Sequence, residues 1–210
     1  MTLNVIARIA GALVLAGGLA GCMDITMELE VLYDTTGKIT TTSVVAADIY
    51  PMLKGTAEGE GMDFCNEEGA TLTENADGSA TCVETKEGEL TALLTDNESA
   101  KVEVVGPGLV KFTFSTTDMQ EQASAGTSGP TAAPGEKAPT PEEEAQAKAM
   151  MAMFFEGKAV TIRVKGKEIV ETTMTKSADG TSAEVVIPFI DLINGTATLP
   201  PEYTVTVKTN

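Results

Sequence analysis

From Ile25 to Tyr33 the side chains alternate, with Ile25, Met27, Leu29, Val31 and Tyr33 interleaved with Thr26, Glu28 and Glu30. A period of two places the apolar set on one face of a β-strand and the polar set on the other. Asp34-Thr35-Thr36-Gly37 is turn chemistry and Ile39–Ala46 is rich in Thr and Val, so the pattern predicts a hairpin. A second hairpin is predicted from Val102–Val105, a Pro107-Gly108 turn and Leu109–Ser115, where Val110, Phe112 and Phe114 alternate with Lys111 and Thr113. Short extended arms around Thr71 and Thr81–Glu84 flank the turn residues Glu74–Ser79. Toward the C-terminus, Ala159–Val164, Glu168–Met174, Thr181–Ile187 and Tyr203–Lys208 read as strands. Gly166-Lys167 and Ala178-Asp179-Gly180 separate the first three, and the set predicts an antiparallel sheet. Phe189–Ile193 reads as a buried connector ending at Asn194-Gly195, after which Pro200-Pro201 resets the chain.

Helical signals are fewer. Ala46–Leu53 reads as a short helix or irregular turn interrupted by Pro51, followed by a Gly- and Glu-rich loop through Gly61, and Leu90–Leu94 reads as a helical turn. From Met119 to Pro139 the chain is Ala, Gly, Ser, Thr, Pro and Gln with almost no large apolar side chain, which predicts a disordered surface insertion over 119–140. At its end Thr140 is placed to cap a helix, with Pro141 as first helical residue and Glu143 completing a capping box. Within that helix Ala147, Met150, Met151, Phe154 and Phe155 share one face, and Gly157 can stop it. Such a stripe is most simply core packed on a sheet; the alternative is a cavity between helix and sheet for an apolar ligand. The expected fold is one α+β domain, an antiparallel sheet of about six to eight strands packed against one or two helices. Residues 22–118 form its first part and 141–210 its second.

The N-terminus reads as a targeting segment. Arg8 and the amino group supply a basic start and Ile9–Ala20 an apolar run. At about 15 residues from Ile9 to Met23 it is shorter than the about 20 that a spanning helix requires. Leu19-Ala20-Gly21-Cys22 then resembles a lipobox, in which the cysteine thiol takes a diacylglycerol before cleavage, so 1–21 reads as a lipoprotein signal peptide and Cys22 as the lipidated residue. Two or more acyl chains, such as diacylglycerol and palmitate, anchor a protein stably without a spanning helix. The first strand begins within a residue or two of Cys22, so the domain should sit close to the membrane. Met23, not Asp, follows the cysteine, which in a diderm cell favours the outer membrane, facing the periplasm.

Composition narrows the chemistry. The formal charge is −17, opposite to what nucleic acid or an anionic lipid surface attracts. With Cys22 assigned to lipid, Cys65 and Cys82 remain as an even pair in an exported chain and should form a disulfide. A zinc site is the rival, but the spacing does not match and no histidine exists. The lack of histidine also removes Ser-His and Cys-His nucleophiles, and Arg163 is the one arginine beyond the signal. A carboxylate pair remains as the acid/base option, but with 31 acidic residues any pair is easily proposed, and no Trp offers a sugar platform. Neither an enzyme nor a bound cofactor or metal is expected. Thr73, Asn75, Asp77, Gly78 and Glu84 match positions of a calcium loop whose first acid is missing, and a plain hairpin turn, like that at Ala178-Asp179-Gly180-Thr181, explains them more simply.

The lipobox at Cys22, the alternating strand from Asp24 to Tyr33, the Gly37 hairpin and the terminal strand, Gly-Lys turn and strand series together resemble the mycobacterial LppM-type lipoproteins. That resemblance implies an envelope lipoprotein with an antiparallel sheet packed on helices, binding lipids or glycolipids. The chain departs from the family's pattern in ending at Asn210 without an apolar span and in the Gln120–Pro139 insertion, and no family binding residue carries over. The expected function is a non-enzymatic, lipid-anchored envelope protein that binds a lipid or other apolar ligand, with Met150, Met151, Phe154 and Phe155 as the ligand face. The alternative is an assembly lipoprotein that contacts other envelope proteins.

Overall fold

The computed structural model describes residues 23–56, 64–67, 69–94, 100–116, 156–194 and 198–209. The first hairpin is β1 (Met23–Val31) and β2 (Thr36–Val45), running from Met23 opposite Val45 to Val31 opposite Gly37. Gly37 is required here: a Cβ would lie 2.5 Å from the Leu90 side chain and 2.8 Å from the Glu30 carbonyl. A helix α1 (Tyr50–Thr56) follows. Pro51 lies in its first turn, where no intrahelical donor is needed, so it starts this helix instead of interrupting it.

A second hairpin pairs β3 (Thr71–Glu74) with β4 (Ala80–Glu89), and α2 (Leu90–Leu94) leads to the predicted hairpin of β5 (Ala100–Gly106) and β6 (Leu109–Ser115). The C-terminal elements are β7 (Ala159–Lys165), β8 (Glu168–Thr172), β9 (Thr175–Lys176), β10 (Ser182–Pro188), α3 (Phe189–Asn194) and β11 (Glu202–Lys208). No helix among the described residues is long and apolar enough to cross a membrane.

The strands form a seven-stranded sheet of order β3-β4-β2-β1-β7-β10-β9 and a four-stranded sheet of order β5-β6-β11-β8. The α+β expectation with a sheet of about six to eight strands therefore holds, and three details refine it. First, β1 and β7 run parallel, Ile25 opposite Val160 through Glu30 opposite Lys165. All other pairs are antiparallel. Second, sheet packs on sheet: Leu29, Val31, Ile162, Val164 and Ala183 of the larger sheet meet Val110, Phe112, Ile169, Val205 and Val207 of the smaller. A separate cluster of Met23, Ile25, Val45, Ile49, Tyr50, Leu53 and Ala80 lies under α1. Third, the C-terminal runs do not form one sheet. β7 already has β1 on one edge and β10 on the other, so Gly166-Lys167 carries the chain across the core, and β8 pairs with β11 instead. The crossing is tight, because a Cβ on Gly166 would come within 2.2 Å of a Val207 methyl.

Charge selects the parallel partner. The solvent face of β1 carries Asp24, Glu28 and Glu30, while Arg163 and Lys165 lie in the adjoining β7 and Lys158 just before it. Asp24 pairs with Lys158 at 2.9 Å, Glu28 with Lys165 at 3.1 Å and with Arg163 at 3.4 Å, and Arg163 reaches across to Glu184 at 2.7 Å. Such half-exposed pairs each contribute less than about 1 kcal/mol, so their effect lies in register more than in stability.

Candidate functional site

Cys22 lies outside the described residues, which begin with Met23. Met23 opens β1 with 8% of its surface exposed, opposite Val45 of β2, and β1 itself lies in the middle of the larger sheet between β2 and β7. Asp24 fixes that end by accepting hydrogen bonds from Lys158 Nζ at 2.9 Å and from the Ala159 backbone N–H at 3.2 Å. An attachment at Cys22 would thus load the middle of the larger sheet.

Beside this end stands the disulfide arm. Cys65 and Cys82 are bridged, with Cα atoms 5.5 Å apart, as their pairing in the sequence predicted. Cys82 lies in β4 opposite both Ser43 and Leu72, so the bridge ties the 64–67 segment to the inner face of the sheet. Cys65 has φ of 73°, a left-handed backbone that costs a side-chain-bearing residue about 1 kcal/mol or more and that the bridge helps to hold. Phe64 stands edge-on to Tyr50, ring centres 6.3 Å apart, and the Tyr50 hydroxyl donates to Glu74 Oε1 at 2.9 Å. Burial, then the Glu74 carboxylate, pushes the Tyr50 hydroxyl above its ordinary pKa, while Lys54 and Tyr50 hold Glu74 below its own. Lys54 also lies over the Tyr50 ring, 5.2 Å from its centre. The cluster clamps α1 to the β3–β4 hairpin. The loop closed by the bridge spans a sequence separation of 17. Replacing both cysteines by alanine should therefore lower the unfolding free energy by about 3 kcal/mol in urea titrations, with no further loss on adding reductant.

The calcium-like spacing resolves as the hairpin turn. Asp77 Oδ1 accepts from the Ser79 N–H at 3.0 Å and the Ser79 hydroxyl at 2.6 Å, which holds its carboxyl below the usual range, and Gly78 takes φ of 88°. Asp179 repeats the device, accepting from Ser177 Oγ at 2.6 Å and the Thr181 N–H at 3.1 Å beside Gly180 at φ of 74°. These carboxylates are committed to their own turns. Among the described residues, no three acidic or cysteine side chains group to hold a metal ion.

At the other end of β1 an unforeseen contact joins the sheets. Asp34 accepts from Thr209 Oγ1 at 2.5 Å and from the Gly108 N–H at 3.3 Å, and the Thr209 N–H donates to the Gly108 carbonyl at 2.9 Å. Asp34 had only turn chemistry to mark it, since its partners lie 74 and 175 residues away. Around it an open cleft of about 630 Å3 is lined by Asp34, Pro107, Leu109, Val170, Glu168 and Lys208. A neighbouring cleft of about 740 Å3 runs past Lys167, Glu168, Lys176 and Asp179. Several of their charged groups have partners: Lys208 pairs with Glu168 at 3.7 Å, and Lys176 Nζ donates to the Ile169 carbonyl. Met150, Met151, Phe154 and Phe155, the capping box at Thr140 and the 119–140 insertion lie outside the described residues.

No family model and no curated protein matches the chain. Among solved structures, the chain is similar to the NMR structure of the folded domain of LppM from Mycobacterium tuberculosis, over 90% of this chain and 91% of that one, with 7% identity and a TM-score of 0.42, a weak resemblance in fold.

Proposed function

We propose that the chain is a non-enzymatic protein of the bacterial cell envelope, anchored by acyl chains on Cys22, whose domain acts by binding. The observation that carries this reading is the fusion of motif and fold: Leu19-Ala20-Gly21-Cys22 is followed directly by Met23, the first and buried residue of β1. An acylated Cys22 would have no slack, so the end of the domain bearing Asp24 and Lys158 would rest at the bilayer. In a diderm cell the outer membrane, facing the periplasm, is the favoured site.

As to what is bound, both described clefts are open and lined by charged and polar side chains together with a few apolar ones. That character suits a polar or protein surface better than a buried acyl chain, and it favours assembly with other envelope proteins. The lipid-ligand reading rests on Met150, Met151, Phe154 and Phe155, whose shared helical face is a property of the sequence. Mass spectrometry of the protein extracted from membranes of cells expressing the full chain tests the proposal. An N-terminal Cys22 carrying acyl chains is expected, and an unmodified or differently placed N-terminus would refute the anchor. Native spectra of the same sample separate the two binding readings, a copurifying lipid supporting the ligand and a stoichiometric protein supporting assembly.

A further inference from the structure

Among the described residues, β5 is the long sheet edge left open. The larger sheet ends in β3, of 4 residues, and in β9, of 2, whereas β5 has 7. The opposite edge of the smaller sheet is β8, of 5 residues, and it is engaged at Ile169, whose N–H donates to the Gly180 carbonyl at 2.7 Å and whose carbonyl accepts from Lys176. β5 bonds to β6 on one side, and no described residue pairs with its backbone on the other. Lys101 and Glu103 are exposed, as are Val104 and Val105, at 55% and 50%. A row of unpaired backbone groups beside exposed valines is a template for another strand.

We propose that β5 pairs antiparallel with β5 of a second copy about a two-fold axis at Val102, joining two four-stranded sheets into one of eight. The charges choose this register. Centred on Val102, Lys101 faces the partner's Glu103 and Glu103 faces the partner's Lys101, while Ala100 faces the partner's Val104 on the core side. Slipping the centre by one residue to Glu103 would set Glu103 against the partner's Glu103, and like charges directly opposite repel. The symmetric ladder covers 100–104, and the register of β5 breaks just beyond it, between Val104 and Gly106. Pairing thus uses the regular part of the strand and covers Val104.

The pairing has a geometric consequence at a membrane, which rests on the anchor proposed above although the pairing does not. β1 ends at Val31, just before Asp34, and β5 ends at Gly106, just before Gly108, which bonds to Asp34, so both strands run toward one pole. A two-fold axis perpendicular to β5 therefore sets the two β1 starts at opposite ends of the dimer. Both copies of Cys22 reach one bilayer when that axis stands along the membrane normal and the strands lie along the surface.

Sedimentation velocity on detergent-extracted full chain, at about 0.15 M salt where repulsion between acidic chains is screened beyond about 8 Å, should show a dimer. Lys101→Glu or Glu103→Lys alone places like charges opposite each other twice and should weaken association by about tenfold, and the double reversal should restore it. Single cysteines introduced at 101, 102, 103 and 104 should crosslink two chains at Val102→Cys alone, with circular dichroism confirming that each variant is folded. A monomer throughout the micromolar range, a dimer indifferent to the reversals, crosslinks at 101 or 103, or a different protein's strand captured at this edge would each overturn the proposal. Because the anchor is read separately by N-terminal mass, loss of one reading leaves the other testable.

Discussion

Cys22→Ser is expected to abolish mature, membrane-bound protein in fractionated cells. On the anchor proposed for Cys22, a serine hydroxyl in its place would not take the thioether-linked diacylglycerol, and the lipoprotein cleavage that would expose residue 22 would not proceed. The variant should accumulate as leader-bearing precursor or appear in the soluble fraction. The change in partitioning should span orders of magnitude, since each buried acyl methylene contributes about 0.8 kcal/mol. The rest of the domain should be untouched, because β1 begins at Met23 and the Cys65–Cys82 bridge forms without Cys22. Mature-sized Cys22→Ser protein still pelleting with membranes would defeat the anchor assignment, whatever the state of the fold.

The largest stability effect is expected at Phe112→Ala. Phe112 is fully buried in β6, opposite Val102 on one side and Val205 on the other, with its ring stacked near Phe114 at a centre distance of 6.5 Å. It lies in the cluster that holds the two sheets together, so removing it loses apolar contact and leaves a cavity that strands on both sides resist filling. The expected cost is about 3–5 kcal/mol, a large part of a domain's roughly 5–15 kcal/mol. Thermal unfolding followed by circular dichroism should fall by about 10 °C or more. Thr113→Ala, on the opposite face of the same strand, should change stability by no more than about 0.5 kcal/mol. Equal effects at the two positions would mean that β6 does not bury the face assigned to it.

Local features of the fold were legible because they are written in short-range chemistry. The alternation in β1 and β6 states which side chains are buried, except that Tyr33, expected on the same face as Leu29 and Val31, falls beyond the end of β1 in the turn and is 64% exposed. Gly78 and Gly180 mark turns whose Asp side chains bond their own neighbours. The Cys65–Cys82 pairing followed from the even count that remains once Cys22 is set aside. The placement of β8 was not legible, because Gly166-Lys167 has the composition of a hairpin turn whether it joins two strands of one sheet or crosses between two. The deciding fact is that both edges of β7 are already occupied, by β1 and β10, strands distant in sequence. The parallel pair was hidden in the same way. Its acids on β1 and bases on β7 are visible as residues, but more than a hundred positions separate them, and no local periodicity says that they meet.

By itself the sequence determined most of the strands and buried faces, the turns, the disulfide and the motif ahead of Met23, since each depends on neighbouring residues and on the backbone's period, but not that β4 runs on to Glu89 or that Thr175-Lys176 forms β9. Tertiary structure alone decided which strand lies beside which, that two sheets close over one core, and that Asp34 joins them through Gly108 and Thr209. It also decided that the residue after Cys22 opens a strand near the middle of the larger sheet and that, among the described residues, β5 has a strand partner on one side alone. Strand order is set by competition among many edges for partners and by burial of whole faces, quantities that exist only once the chain is assembled.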